Sequence, residues 1–384
     1  MKVLIAIDSF KGSVSSIEAS KAITAGIRNV YPDADIVSLP LADGGEGTVE
    51  CLVHATSGKM VSREVTGPLG EKVMALYGIL GDGRTAVIEV AAACGLPLVP
   101  EGKRNPEVTT TYGVGELIQD AIVRGCREFI IGLGGSATND AGVGMLQALG
   151  FQFKDAVGNE VEFGGRILPE ICSIDLSQVI RELNDCTFRV ACDVDNPLYG
   201  PNGAAFVYGP QKGASEKVVR KLDAGLRYFA EFVQKEIGRD VHSFAGAGAA
   251  GGLGAAFSAF LNGQLEPGIE LIFEKIHMEE QIKGMDFVIT GEGRMDAQTS
   301  MGKVPSGVAR LAARYHIPVI ALVGSVSGDL SELHQSGMTS CFPILDAPIS
   351  LEGAMESDRT LANLQRTAEQ LFRLIRSVNG KWQT

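Results

Sequence analysis

At 384 residues the chain exceeds the usual size of a single hydrophobic core, so two domains is the expected organisation. Its 45% apolar and 21% charged residues are ordinary for a soluble globular protein. A formal net charge of −12, with no Lys/Arg-rich run, argues against nucleic acid as a partner, because displacing phosphate counterions needs a basic face.

Val3–Ile7 is a short, β-branched apolar run followed by a polar loop and a helical pattern from Ser16 to Val30. Ile36–Leu39 reads as a second strand, and Gly47 to Thr56 as a second helix. This βαβα beginning implies a parallel sheet with right-handed crossovers. The segments Val61–Val65, Lys72–Ile79 and Thr85–Glu89 alternate in polarity and are separated by Gly67-Pro68, Gly70 and Gly81-Asp82-Gly83, so they read as antiparallel strands. Residues 108–125 and 140–149 look helical, Phe129–Leu133 is a buried strand, and 150–210 is irregular and β-rich. The opening rhythm returns with strands at Phe287–Thr290, Val319–Val323 and Ser340–Ile344 and helices over 303–315 and 358–377. The expected fold class is therefore α/β. A doubly wound, Rossmann-like parallel-sheet domain is built from residues 1–62 and 265–384, and a mixed α/β domain, 63–264, is inserted, with the active site expected in the cleft between the two.

The seven cysteines are odd in number and lack a CxxC pair, which speaks against a disulfide framework or structural zinc and for a reducing compartment. The apolar run before Asp8 is too short for a signal-peptide core. Phe244 to Leu261 is uncharged but is dominated by Gly and Ala, so it is not read as a membrane span. The expectation is a cytoplasmic protein without membrane contact, the number of assembled chains left open and a homodimer among the options.

The 48 glycines, nearly double the usual share, cluster at 132–144, 200–213, 246–254 and 291–302, where backbone could approach a ligand. Asp8-Ser9-Phe10-Lys11-Gly12-Ser13 follows the first strand, at the carboxyl end where open α/β sheets hold ligands. Lys11 offers a mobile cation, and Ser13 with the following amides an anion site. In Asp43-Gly44-Gly45-Glu46-Gly47, a carboxylate could hold Mg²⁺. Gly134-Gly135-Ser136 lies in a strand-to-helix turn whose amides could cradle a phosphate, although no Walker A sequence occurs. Asp193 and Asp195, two apart after an apolar run, point the same way if extended; one could accept a hydroxyl proton while the other orients it. Glu292, Arg294 and Asp296, with Gly302-Lys303 soon after, supply acid, cation and amides suited to phosphoryl transfer. A literal GxGxxG at Gly246, Gly248 and Gly251 has only a weak preceding strand, Val241–Phe244. Glu266, at dinucleotide spacing, sits beside Pro267-Gly268.

Taken together, DSFKGS at 8–13, PLADGGEGT at 40–48, VTGPLG at 65–70, GLGGSATNDAG at 132–142, DVDNPLYGPNGAA at 193–205, GAGAAGGLGAA at 246–256 and TGEGRMDAQTSMGKVP at 290–305 resemble the type-1 glycerate kinase family. The resemblance spans essentially the whole chain. It implies a two-domain α/β enzyme that moves the γ-phosphoryl group of ATP, with Mg²⁺, onto a hydroxyl of D-glycerate. The product expected is 2-phosphoglycerate, with 3-phosphoglycerate the alternative. The residue roles follow from the reading above. Asp193, Asp195 and Lys11 are the expected catalytic groups. Ser13, Gly134, Gly135, Ser136 and Lys303 are the expected cofactor contacts, the Gly134–Ser136 turn cradling either a phosphate or the glycerate carboxylate, and Glu292, Asp296 and Asp43 are the expected metal ligands. Two rivals are an NAD-dependent hydroxyacid dehydrogenase using the GxGxxG and a non-catalytic ligand sensor.

Overall fold

The computed structural model describes residues 1–296 and 303–381; Gly302 and Trp382 lie outside the described residues. By internal contact the chain divides into two compact units, Met1–Asp43 together with Ile269–Thr384, and Gly44–Gly268.

The first unit holds five parallel strands in the order Asp35–Ser38, Lys2–Ile5, Phe287–Thr290, Val319–Val323, Met338–Pro343. Lys2–Ile5 and Val319–Val323 read as apolar runs rather than alternating ones because residues on both faces are buried, as in parallel sheets covered on both sides. Helix Ser16–Arg28 starts where it does because Ser15 and Glu18 form a reciprocal capping box: Ser15 Oγ accepts from the Glu18 amide at 3.2 Å, and Glu18 Oε2 from the Ser15 amide at 2.9 Å. Its apolar stripe, with Ile23 and Ile27, joins Val3, Ile5 and Phe372 in one core cluster. The long helix Ser357–Lys381 lies against it so closely that only glycine fits at position 26.

The second unit is built on a mixed sheet in the order Gln264–Glu266, Thr187–Ala191, Glu128–Gly132, Thr85–Glu89, Lys72–Ile79, Lys59–Thr66. The first four strands run parallel, and the last two pair antiparallel as a hairpin. Phe129 and Phe188 are register partners on adjacent strands and stack at 4.8 Å, a cross-strand pair that fixes the alignment. The architecture is thus the expected α/β class, a doubly wound parallel-sheet unit made from both ends of the chain with a mixed α/β unit inserted.

One local expectation changes, one weak strand signal is not realised, and one helix is added. Helix Thr48–Ala55, assigned to the first domain by its βαβα rhythm, packs on strands Lys72–Ile79 and Thr85–Glu89 of the inserted unit. Val49 and Val53 meet the space above Gly78, so the units part after Asp43 rather than near 62. Val241–Phe244 forms no strand. Glu216–Ile237, where the sequence reading placed no element, is a 22-residue helix capped by Ser215 and closed by Gly238. Its buried Val219, Leu222, Leu226, Phe229 and Val233 recur at helical spacing. Among the described residues, no helix is long and apolar enough to cross a membrane.

Candidate active site

In a sheet of this order, ligands bind where neighbouring connections diverge beyond the strand carboxyl ends. Here that point lies between Lys2–Ile5 and Phe287–Thr290, which carry the first and last thirds of the chain. The backbone ladder continues past the strands and fixes the loops. The Leu41 amide donates to the Ile7 carbonyl at 2.8 Å, and the Asp8 amide to the Gly291 carbonyl at 3.0 Å. The Gly324 amide donates in turn to the Glu292 carbonyl at 3.1 Å. Four polar loops are thereby set side by side around a pocket of about 620 Å³ lying wholly within the first unit.

Part of the pocket lining is charged. Asp8, Lys11, Asp43, Glu292, Arg294 and Lys303 supply it. Lys11 Nζ stands 3.4 Å from Asp43 Oδ2, and Lys303 Nζ 3.9 Å from Glu292 Oε2. Asp8 is only 4% exposed, and burial together with the negative charge of Asp43 raises its pKa to about 7. Ile344, Leu345, Ile349, Leu351 and Met355 supply apolar wall to the same pocket. Ser13 also lines the pocket, with its hydroxyl bonded to that of Thr360 at 2.7 Å. Asp296 is not among the lining residues; its carboxylate lies 3.4 Å from Arg294 Nε.

The remaining predicted residues belong to the second unit. Gly132 and Ala191 are partners at the ends of adjacent parallel strands, so the turns bearing Gly134–Ser136 and Asp193–Asp195 leave the same edge of the sheet side by side. Gly134 and Gly135 are exposed at their tip, while Ser136 to Asp140 are buried. Asp193 and Asp195 are both exposed, and Asp193 Oδ1 accepts from the Gly268 amide at 2.9 Å. Glu89, at the end of the neighbouring strand, accepts from the Val49 amide at 2.9 Å and so satisfies the start of helix Thr48–Ala55, which has no side-chain cap of its own. Burial raises the Glu89 pKa.

The GxGxxG segment has a packing role. Gly251 has φ +72°, and a β-carbon on it would lie 2.0 Å from the Thr138 carbonyl oxygen. Glu266, the residue at dinucleotide spacing, holds Arg189 through two bonds of 2.6 and 2.7 Å.

The model of the glycerate kinase family matches residues 3–376. The chain belongs to the glycerate kinase family. It is similar to a glycerate 2-kinase of Escherichia coli K12, 52% identical over 92% of this chain and 93% of that one. It is 48% identical to a glycerate kinase of Haemophilus influenzae over 98% and 99% of the two chains. A crystal structure from Salmonella typhimurium LT2, of a protein assigned as glycerate kinase 2, superposes with a TM-score of 0.90 at 46% identity, covering 99% of each chain. The enzyme is accordingly a kinase, a phosphotransferase that acts on glycerate.

Two buried charged groups of this kinase lie in segments where the sequence shows no sign of their burial. Nothing in the neighbours of Asp8 along the chain marks it as buried under the negative charge of two other acids, Asp43 and Glu292. Lys212, in Gly209-Pro210-Gln211-Lys212-Gly213, was passed over. It is 2% exposed, donating to Ser136 Oγ at 3.0 Å and to the Thr138 carbonyl at 2.7 Å. A lone lysine between two glycines carries no signal that it is turned inward.

Proposed function

We propose that the enzyme transfers the γ-phosphoryl group of ATP, with Mg²⁺, to the C2 hydroxyl of D-glycerate, giving 2-phosphoglycerate. The observation that carries this reading is the pocket of the first unit, lined by both apolar and charged side chains. Its apolar wall suits a purine base, and its acids and lysines suit a metal-bound polyphosphate. The name of the Escherichia coli relative supports the 2-position.

The residues present fit a magnesium–nucleotide. Among the described residues no three acidic or metal-binding side chains form a ready cage. Mg²⁺ asks for less, one or two carboxylates with water and phosphate oxygens completing its octahedron. Asp43 and Glu292 would hold it. Their negative charge already weighs on Asp8, a repulsion that suits a cation at this place. Asp296, drawn to Arg294, is the third choice. When bound, the metal supplies neutralisation of phosphate charge and alignment of the γ-phosphate. Lys11 and Lys303 add positive charge where the transferring group passes, and Ser13 helps shape the same wall. In the other unit, Asp193 or Asp195 orients the glycerate hydroxyl and takes its proton, while Gly134, Gly135 and Ser136 hold the carboxylate through backbone amides and a hydroxyl.

Incubation with ATP, MgCl₂ and D-glycerate, followed by ³¹P and ¹H NMR of the product, tests the reading. A phosphorus coupled to the single C2 proton is expected. Coupling to the two C3 protons would assign the other regiochemistry, and absence of ADP release would remove the reaction.

A further inference from the structure

We propose that Lys212 is a positioning residue for the substrate carboxylate, acting from behind the Gly134–Ser136 turn. The inference rests on the reading that this turn holds that carboxylate.

Lysine is almost never fully buried unless paired. The Lys212 ammonium is buried, and it donates hydrogen bonds to a hydroxyl and a carbonyl in one turn, Ser136 Oγ and Thr138 O, more than seventy residues away in sequence. Asp140, the acid of the same segment, is spent elsewhere. It accepts from the Thr111 amide and hydroxyl at 2.9 Å each and from the Gly142 and Gly144 amides at 3.2 and 3.3 Å. A positive charge is therefore fixed beneath a turn whose exposed tip, Gly134–Gly135, presents amides and no side chain. In a medium of low dielectric such a charge acts strongly on an anion at the tip, while its two donated bonds hold the turn in shape.

A second observation points the same way. Asn139, 1% exposed in the same turn, has neither its carboxamide oxygen nor its nitrogen hydrogen-bonded within the described residues. Buried polar groups left without partners mark sites where water or a ligand completes the set.

Titration supports the assignment. Burial lowers the Lys212 pKa to about 8. The ionisable groups that act on it are Cys94, whose own burial pushes its thiol to about 12, and Asp140, raised by burial. Lys212 thus loses its charge at a pH where the glycerate carboxylate stays ionised.

The experiment compares wild type with Lys212→Met, Lys212→Arg and Gly134→Val, varying each substrate separately from pH 6.5 to 9.5. For Lys212→Met, kcat/KM for D-glycerate is expected to fall about 100-fold, the scale of losing one preorganised charged contact. KM for ATP should stay within about threefold, and Lys212→Arg should restore part of the loss. In wild type, kcat/KM for D-glycerate should decline above about pH 8, and that limb should be missing from Lys212→Met. A cooperatively folding Lys212→Met enzyme with unaltered kcat/KM overturns the proposal. If that variant does not fold, a wild-type profile that is flat through pH 9.5 overturns it instead. Gly134→Val separates the two levels. Unchanged KM for D-glycerate there removes the turn as the carboxylate site, whereas a raised KM beside a normal Lys212→Met removes only the role of the lysine.

Discussion

Lys11 Nζ and Asp43 Oδ2 lie 3.4 Å apart in the lining of the pocket, on loops that follow neighbouring strands. The lysine side chain is 56% exposed, and pairs of this kind contribute about 0–1 kcal/mol to stability. The role proposed for Lys11 is functional. Lys11→Met is expected to lower kcat/KM by about 100-fold or more, with thermal unfolding by calorimetry almost unmoved. A large loss of stability with normal turnover would reverse that assignment.

Asp193→Asn isolates proton transfer from architecture. Asparagine keeps an oxygen to accept from the Gly268 amide, so the backbone there should hold. Turnover should fall by roughly 10²–10⁴, the range of general-base catalysis, with KM for ATP little changed. Near-normal kcat would shift the role to Asp195.

The raised pKa of Asp8 makes stability depend on pH. Between about 4 and 7 the folded state holds a proton that the unfolded chain, with an ordinary Asp, has released. Folded-state binding then exceeds unfolded-state binding, and stability drops as pH rises through this window. Asp8→Asn removes that cost. Urea denaturation in EDTA should find the variant more stable than wild type at pH 8, by up to a few kcal/mol, and the two alike near pH 4. A constant difference across the range would contradict the linkage.

Gly26 is a packing constraint between the first and last helices. A β-carbon on it would lie 2.2 Å from the Gln365 carbonyl oxygen and 3.0 Å from the Ala368 β-carbon. Gly26→Val should cost about 1–3 kcal/mol, the usual penalty for overpacking. Gly26, Gln365 and Ala368 do not themselves line the pocket, although Thr360 and Asn363 of the same helix do, so activity at low temperature should survive if that helix keeps its place. Denaturation midpoints with parallel kinetics would check both halves of the statement.

The sequence announced its architecture through local patterns. Short β-branched runs each followed by a polar loop and a helical stripe recur at both ends of the chain, and the antiparallel hairpin at 59–79 was legible from its alternation and its Gly67-Pro68 turn. What escaped notice did so for identifiable reasons. Helix Thr48–Ala55 has the same rhythm whichever sheet it covers; only the empty space over Gly78 decides. The helix Glu216–Ile237 was legible in its periodicity and was overlooked beside the glycine-rich loops flanking it. Asp8 and Lys212 could not be read at all, because their inward orientation depends on partners from distant segments. Glycine spacing at 246–251 was a weak guide, since close backbone approach to Thr138 demands the same residues that a pyrophosphate would.

The strand Lys2–Ile5 is translated first, yet one of its two neighbours, Phe287–Thr290, lies near the opposite end of the chain. At about 5–20 residues per second, the ribosome needs on the order of tens of seconds to supply that neighbour. The inserted unit, Gly44–Gly268, is meanwhile a contiguous stretch with all its strands in hand. Vectorial synthesis therefore favours an order in which the middle of the gene product consolidates first and the amino-terminal βαβ unit, whose two strands pair parallel, waits with an open flank. During that interval Val3 to Ile7, buried in the finished protein, is the segment most in need of a chaperone.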